Sequence, residues 1–400
     1  MDRGVAAMTS PFGDLSPEEF LQEYWQKKPL LVRRAFDNLT SPLSPEELAG
    51  LACDYGVTSR LIIEKGGEYP WEVRFGPFEE DDFAGLPPSH WTLLVQETDR
   101  HVPAAADLLR PFRFLPNWRI DDVQISYAPM HGRVGAHIDQ YDVFLIQGLG
   151  RRRWQIKRMP APPDEPFVKD LDIELLEHFE PDEEWIVSPG DLLYLPPRIP
   201  HCGTALSDCM TISVGFRAPG NREIVEGFLE HATSAVDPDL AYTDRGRQTA
   251  LNPGKIGPGV LRYVQDVLRS AVEDRVSIRQ WFGSFATEPN RGMPASSEDP
   301  PSTRDIMEVL GQGGLLRRRA PAYLAYIEHD SGVSLYACGV EYPLSDELAF
   351  AAPLLSGTTD LSGAALEQHM DDPAFVTLLA ELIETGALQL CVPSVEEHGL

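Results

Sequence analysis

The sequence predicts a mainly β fold with helices added: an antiparallel barrel or jelly roll, then a helical region, then a small α/β unit. Three observations carry this expectation. Between Trp118 and Arg217, short strand-like runs are separated by Gly and Pro, the punctuation of antiparallel all-β architecture. After Pro219 the apolar spacing becomes helical. Residues 287–301 then have linker composition, rich in Pro, Ser and acidic side chains. A chain of 400 residues, 42% of them hydrophobic and 24% charged, is long enough for two or three domains with sizeable cores.

The elements follow in order. Ser16-Pro17-Glu18-Glu19 offers an N-cap serine, proline at the first helical position and an acidic first turn, and Ser44-Pro45-Glu46-Glu47 repeats that grammar. Between them Pro29 to Arg34 is strand-like. Further strands are expected at 120–127, 137–146, 151–157, 184–187, 191–195 and 209–216. Helical spacing over 223–230 and 260–268 marks a helical region reaching about Phe285. Beyond the linker, helices are expected at 305–310 and 373–383, and strands at 322–327 and 333–337.

Composition narrows the partners. The formal charge of −28 disfavours nucleic-acid phosphates and favours a basic partner. Adaptation of a whole proteome to salt is an alternative source of the same acidity. Residues 301–400 hold 15 acids, four arginines and no lysine, a net charge of −11, so no direct DNA binding is expected of them even in a winged-helix shape. Five scattered cysteines without a Cys-x-x-Cys pair argue against a disulfide framework or a zinc knuckle. No run of about 18 apolar residues occurs and the first residues lack an apolar signal core, so a cytoplasmic protein without a membrane span is expected.

The chemistry-bearing residues lie in the β region. His137-Ile138-Asp139 and, about sixty residues later, Pro196-Pro197-Arg198-Ile199-Pro200-His201 supply two imidazoles and a carboxylate. That is the donor set of a facial iron triad, which leaves coordination positions open. On a strand, residues two apart share a face, so His137, Asp139 and Tyr141 look into one space. In Arg151-Arg152-Arg153-Trp154-Gln155-Ile156 the same alternation puts Arg152 with Trp154 and Ile156. An inward Arg152 needs an anion, either a bound carboxylate gripped by two parallel hydrogen bonds or a structural acid. Along 118–127, Val123, Ile125 and Tyr127 fall on one face and Asp122, Gln124 and Ser126 on the other. The polar face is either solvated or the wall of a binding site inside a barrel. His131, in Met130-His131-Gly132-Arg133, is a possible decoy ligand.

Together these segments resemble the JmjC-type 2-oxoglutarate oxygenases, and among them the bacterial ribosomal oxygenases that hydroxylate an arginine of large-subunit ribosomal protein sixteen. The likeness runs through Pro29-Leu30-Leu31, Trp118-Arg119-Ile120-Asp121-Asp122, Gln147-Gly148-Leu149-Gly150, Gly190-Asp191-Leu192-Leu193-Tyr194 and Ser213-Val214-Gly215-Phe216, and continues weakly beyond Gln280-Trp281-Phe282-Gly283. It implies a double-stranded β-helix of the cupin type over residues 1–220, including an N-terminal extension. A helical dimerisation region at 221–286, a linker at 287–302 and a winged-helix-like domain at 303–400 follow. It further implies that His137, Asp139 and His201 bind Fe(II) and that Arg152 and Ser126 hold the distal carboxylate of 2-oxoglutarate. The substrate arginine is then expected beside Tyr141, with Asp122 and Ser213 near its guanidinium. The implied reaction consumes O2 and 2-oxoglutarate and releases succinate and CO2; the implied partners are a basic ribosomal protein and a second copy of the chain. Rival readings are a ribosomal histidyl hydroxylase, a JmjC demethylase, a silent ribosome-assembly binding protein, and a zinc hydrolase, which leaves Arg152 and Ser126 without a task.

Overall fold

A computed structural model describes residues 10–66, 70–237, 239–243, 245, 252–289, 301–319 and 323–392. They divide into two compact units, with the boundary between Ala218 and Pro219.

In the first unit the two expected helices, α1 (Pro17–Glu23) and α2 (Pro45–Leu51), both carry full capping boxes. Ser16 accepts from the Glu19 N–H and Ser44 from the Glu47 N–H, while each glutamate reaches back to the serine N–H. The strand β1 (Leu30–Val32) lies between them. Then follow β2 (Ser59–Glu64), β3 (Trp71–Phe75), α3 (Glu80–Ala84), β4 (Trp91–Val95), α4 (Pro103–Asp107), β5 (Ile120–Ala128) and β6 (Val143–Leu149). The unit closes with β7 (Arg152–Ile156), β8 (Glu183–Val187), β9 (Leu192–Leu195), β10 (His201–Ala205) and β11 (Cys209–Phe216). Eight strands form one sheet in the order β1-β9-β6-β11-β5-β4-β2-β3, and β10-β7-β8 form a second.

Alternation sorts the large sheet into two faces. Phe144, Ile146, Tyr194, Ile212, Val214 and Phe216 turn outward and pack with Phe12, Phe20 and Phe112 of the N-terminal segments. Removing one such ring costs about 3–5 kcal/mol. Their strand neighbours Val143, Leu145, Leu193 and Leu195 turn inward and meet Trp154, Ile156 and Val187 of the small sheet. Two sheets enclosing a shared interior make the double-stranded β-helix, and the site lies in that interior. The N-terminal extension is tied to it by a buried acid, because Asp142 accepts from the Tyr194 hydroxyl at 2.6 Å and from Gln26 Nε2 at 2.9 Å.

The expected strand at 137–146 begins only at Val143. The six residues before it make no ladder, and His137 instead forms an isolated antiparallel bridge with His201. Strands β2, β3 and β4 escaped the sequence reading because the N-terminal hundred residues do not alternate cleanly: Leu61, Ile62 and Ile63 are all buried, since β2 is covered on both faces.

In the second unit, α5 (Asn221–Ala235), α6 (Pro258–Val272) and α7 (Arg275–Thr287) fulfil the helical expectation. Then come α8 (Thr303–Gly311), β12 (Leu315–Arg318), β13 (Leu324–His329), β14 (Gly332–Ala337) and β15 (Val340–Leu344). The last elements are α9 (Ala351–Gly357), β16 (Asp360–Ser362), α10 (Gly363–Leu366), α11 (Pro373–Glu384) and β17 (Leu388–Cys391). Most of the expected linker, 290–300, and Ala322 of the expected strand at 322–327 lie outside the described residues. Among the described residues no helix is long and apolar enough to cross a membrane.

Candidate metal centre and cosubstrate pocket

His201 opens β10 directly after the turn Pro196-Pro197-Arg198-Ile199-Pro200, and His137 stands opposite it. Each donates its backbone N–H to the other's carbonyl at 3.0 Å, so the sixty-residue separation is closed by two backbone bonds. Asp139 follows two residues later, fixed by the Arg198 N–H on its carbonyl at 2.7 Å. Asp139 Oδ1 is 3.9 Å from His137 Nε2, and Oδ2 is 3.6 Å from His201 Nε2. Among the described residues this is the one group of three such donors close enough to hold a single ion, all its ligand atoms lying within 4.8 Å of one another.

The donors carry the supporting contacts that a metal site uses. His137 Nδ1 lies 3.0 Å from the Gly135 carbonyl and His201 Nδ1 lies 2.9 Å from the Ile199 carbonyl. A ring nitrogen facing a carbonyl must be the protonated one, so in both rings Nε2 keeps the lone pair and points at the shared space. Burial, and then the neighbouring His137, push the His201 imidazole down to about 4. Neutral imidazole is the ligating form.

A cavity of about 330 Å³ opens over the three donors. Its inner wall is built by polar side chains from adjacent strands: Gln124 and Ser126 of β5, Thr211 and Ser213 of β11. The polar face of β5 is therefore the interior one, and Val123 and Ile125 belong to the outer core. Arg152 also lines the cavity and is only 3% exposed. Its Nη1 reaches the Gly203 carbonyl at 3.5 Å, and its Nε and Nη2 have no hydrogen-bond partner. Leaving a buried charged group unsatisfied is costly. Two N–H groups of a guanidinium without an acceptor, on a residue that lines the cavity, fit one carboxylate in number and charge. Ser126 Oγ stands on the same wall and makes only a long bond, 3.4 Å, to the Thr211 carbonyl. Of its neighbours, Arg153 approaches Glu184 at 3.9 Å and Arg151 is exposed.

Tyr141 stands at the mouth, its hydroxyl held well above the ordinary phenol range, chiefly by the Asp139 carboxylate. Asp122 lies nearby, outside the cavity lining proper. Its Oδ2 accepts the Glu97 N–H at 2.9 Å, and burial pushes its carboxyl up to about 7. His131 is not part of the group; its ring lies 5.0 Å from that of His90.

Two parts of the lining were not foreseen. Arg60 comes from β2, which the sequence reading did not resolve. Asp172, Ile173, Glu174 and Leu175 come from the long β7–β8 connection. There the buried Ile173 and Leu175 pack with Ile62 and Leu94, and the Leu176 N–H bonds the Ala136 carbonyl beside His137. The signal was the alternation Asp172-Ile173-Glu174-Leu175, with apolar residues at every second position.

A double-stranded β-helix holding two imidazoles and one carboxylate beside an unpaired arginine is the architecture of an iron- and 2-oxoglutarate-dependent oxygenase. Comparison with known proteins agrees. A JmjC domain matches residues 107–224 and a ROXA-like winged helix matches residues 269–389. The chain is 37% identical to the ribosomal protein uL16 3-hydroxylase of Escherichia coli, over 92% of this chain and 96% of that protein. It is 32% identical to a probable ribosomal oxygenase of Haemophilus influenzae, over 81% of each. The structure of the E. coli ribosomal oxygenase YcfD in complex with cobalt and 2-oxoglutarate superposes with a TM-score of 0.81 at 34% identity, covering 94% of this chain and 98% of that one. The chain belongs to the JmjC-type ribosomal oxygenase family.

Proposed function

We propose that this oxygenase hydroxylates an arginine of the large-subunit ribosomal protein uL16, working in the cytoplasm where ribosomes are assembled. In this reading His137, Asp139 and His201 hold Fe(II), Arg152 and Ser126 hold the distal carboxylate of 2-oxoglutarate, and the arginine enters beside Tyr141 with Asp122 and Ser213 near its guanidinium. The bound iron and keto acid supply the oxidising power, one atom of O2 leaving in succinate with release of CO2 and the other entering a C–H bond of the substrate.

The observation that carries the reading is an under-satisfied arginine lining the cavity together with a buried acid close to Tyr141. At one end, Arg152 lines the cavity, and its Nε and Nη2 are without a hydrogen-bond partner. Toward the other end lies the Asp122 carboxylate, which complements a cation arriving from solvent. The protein's own work is orientation and exclusion. Trp154, Leu145 and Val143 keep the cosubstrate end apolar, and Tyr141 borders the path by which a target carbon approaches the donors. The formal charge of −28 suits a basic partner. Helices α5 to α7 are the proposed dimerisation region, since α6 leaves Leu261, Val264 and Leu268 exposed.

The test is mass spectrometry of uL16 after incubation with the protein, Fe(II), 2-oxoglutarate and O2. The expected product is heavier by one oxygen, with fragmentation mapping the change to an arginine. Oxygen mapped to a histidine favours the histidyl hydroxylase, loss of a methyl group favours a demethylase, and binding without succinate release favours a silent binding protein.

A further inference from the structure

The interior face of β5 and β11 is a ladder. Ser126 stands opposite Thr211 and Gln124 opposite Ser213, and all four line the cavity. The next position on that face of β11 is Gly215. Here the register slips between Val214 and Phe216, so that two β5 residues, Asp121 and Asp122, face the single Gly215. A bulge of this kind re-aims a side chain, and here the Asp122 carboxylate lies beside the position a Cβ at 215 would take, close to Tyr141.

Neither a positive φ nor a backbone clash forces glycine at 215. Gly215 does not adopt a positive φ, and a methyl group built on it meets no backbone atom closely. Gly203 differs, since a methyl there would strike the Trp154 ring at 2.6 Å. At Gly215 the nearest atoms are Asp122 Oδ1 at 3.4 Å and Tyr141 Cε2 at 3.8 Å, ordinary contacts. A glycine inside a strand weakens it and often marks a bulge, as here, or close approach by a ligand. What a side chain at 215 would fill is the gap between Asp122 and Tyr141. Asp122 Oδ2 is already engaged by the Glu97 N–H, so Oδ1 is the oxygen that borders this gap.

We propose that Gly215 is a specificity-determining residue. Its bare backbone is the floor of a slot walled by Asp122 and Tyr141, and the slot admits one long, cationic substrate side chain toward the three donors. This deepens the proposed function and rests on its entry route. The slot sets which side chains pass and has no part in holding the cosubstrate, whose end of the ladder lies at Ser126 and Arg152.

The experiment compares the full-length protein with Gly215→Ala and Gly215→Val, using Fe(II), 2-oxoglutarate and a uL16 fragment containing the target. One methylene of mismatch in a substrate pocket is worth roughly 10–200-fold. Gly215→Ala is therefore expected to raise KM for the fragment about tenfold and Gly215→Val about a hundredfold. KM for 2-oxoglutarate should stay unchanged in both. Because the alanine methyl makes only ordinary contacts, that variant keeps the test alive if the valine variant folds poorly. Fragment KM unchanged in Gly215→Ala, or fragment and 2-oxoglutarate KM rising together, overturns the assignment. Mapping of the added oxygen to a histidine, with fragment KM still rising in the variants, overturns the arginine reading and leaves Gly215 as the gate.

Discussion

His137 and His201 are a bridge pair, each donating its backbone N–H to the other's carbonyl at 3.0 Å. Two of the three candidate ligands are therefore fixed by the backbone, and their rings by the carbonyls of Gly135 and Ile199. Removal of the metal should leave the far-ultraviolet circular dichroism unchanged, and Asp139→Ala should lose Fe(II) binding and 2-oxoglutarate turnover while unfolding near the wild-type temperature. Full turnover in Asp139→Ala would refute the ligand assignment.

Arg152 shares the interior face of β7 with Trp154, its guanidinium carbon 5.6 Å from the indole centroid. The indole ring and the Gly203 carbonyl hold the guanidinium, whose Nε and Nη2 remain without a partner. Hydrogen bonds to charged groups contribute about 1.5–3 kcal/mol each. Arg152→Ala should accordingly raise the 2-oxoglutarate requirement about ten- to several-hundredfold, and Arg151→Ala should leave it unchanged. The reverse pattern in steady-state kinetics would show that another residue anchors the cosubstrate.

Asp99 links folding stability to pH. It is 6% exposed, accepts the Val123 N–H at 2.9 Å, and is pushed up by burial to about 6. The folded protein therefore holds this proton more tightly than the unfolded chain does. The stability it contributes is complete below the ordinary aspartate value and is lost as pH rises through about 6. The loss amounts to roughly 3 kcal/mol. Asp99→Asn, which keeps an acceptor for Val123, should remove that slope. Urea unfolding at acid and neutral pH measures it, and equal slopes in the two proteins would count against a raised Asp99.

The site was more legible in the sequence than the fold around it. Ligand chemistry is carried by residue type and short spacing, so His137-Ile138-Asp139 and the proline-flanked His201 stood out without a correct strand assignment; the run from His137 to Asp142 is irregular. Arg152 was legible because β7 alternates cleanly between a covered and an open face. Arg60 was not, because β2 lies in a sheet buried on both sides and its Leu61-Ile62-Ile63 run hides the period of two. Gly215 carried no signal, since an absent side chain acquires meaning only from the atoms around it.

Helix α6 leaves Leu261, Val264 and Leu268 45–58% exposed. An exposed apolar stripe of this kind calls for a cover, and closed two-fold dimers are the commonest oligomers. Light scattering should give twice the mass expected from 44.5 kDa, and Leu261→Asp with Leu268→Asp should give the monomer. A wild-type monomer at every concentration would remove the dimer from the reading.

Recruitment and chemistry should separate with salt. Exposed charges are screened over about 8 Å at physiological ionic strength, so the acidic surface can speed the encounter with a basic protein only while salt is low. The Asp122 carboxylate is different: it is desolvated enough for its carboxyl to be pushed up to about 7, and its Oδ2 is anchored by the Glu97 N–H. An incoming guanidinium would meet it where ions in solution screen poorly. Raising salt should therefore weaken association with uL16 moderately and leave turnover of bound substrate intact. Asp122→Asn should cut that turnover at low and high salt alike, because the amide keeps the shape and the Glu97 bond but loses the charge. Single-turnover hydroxylation across a salt series measures both, and an Asp122→Asn defect that disappears at high salt would mean the residue acts only in long-range attraction.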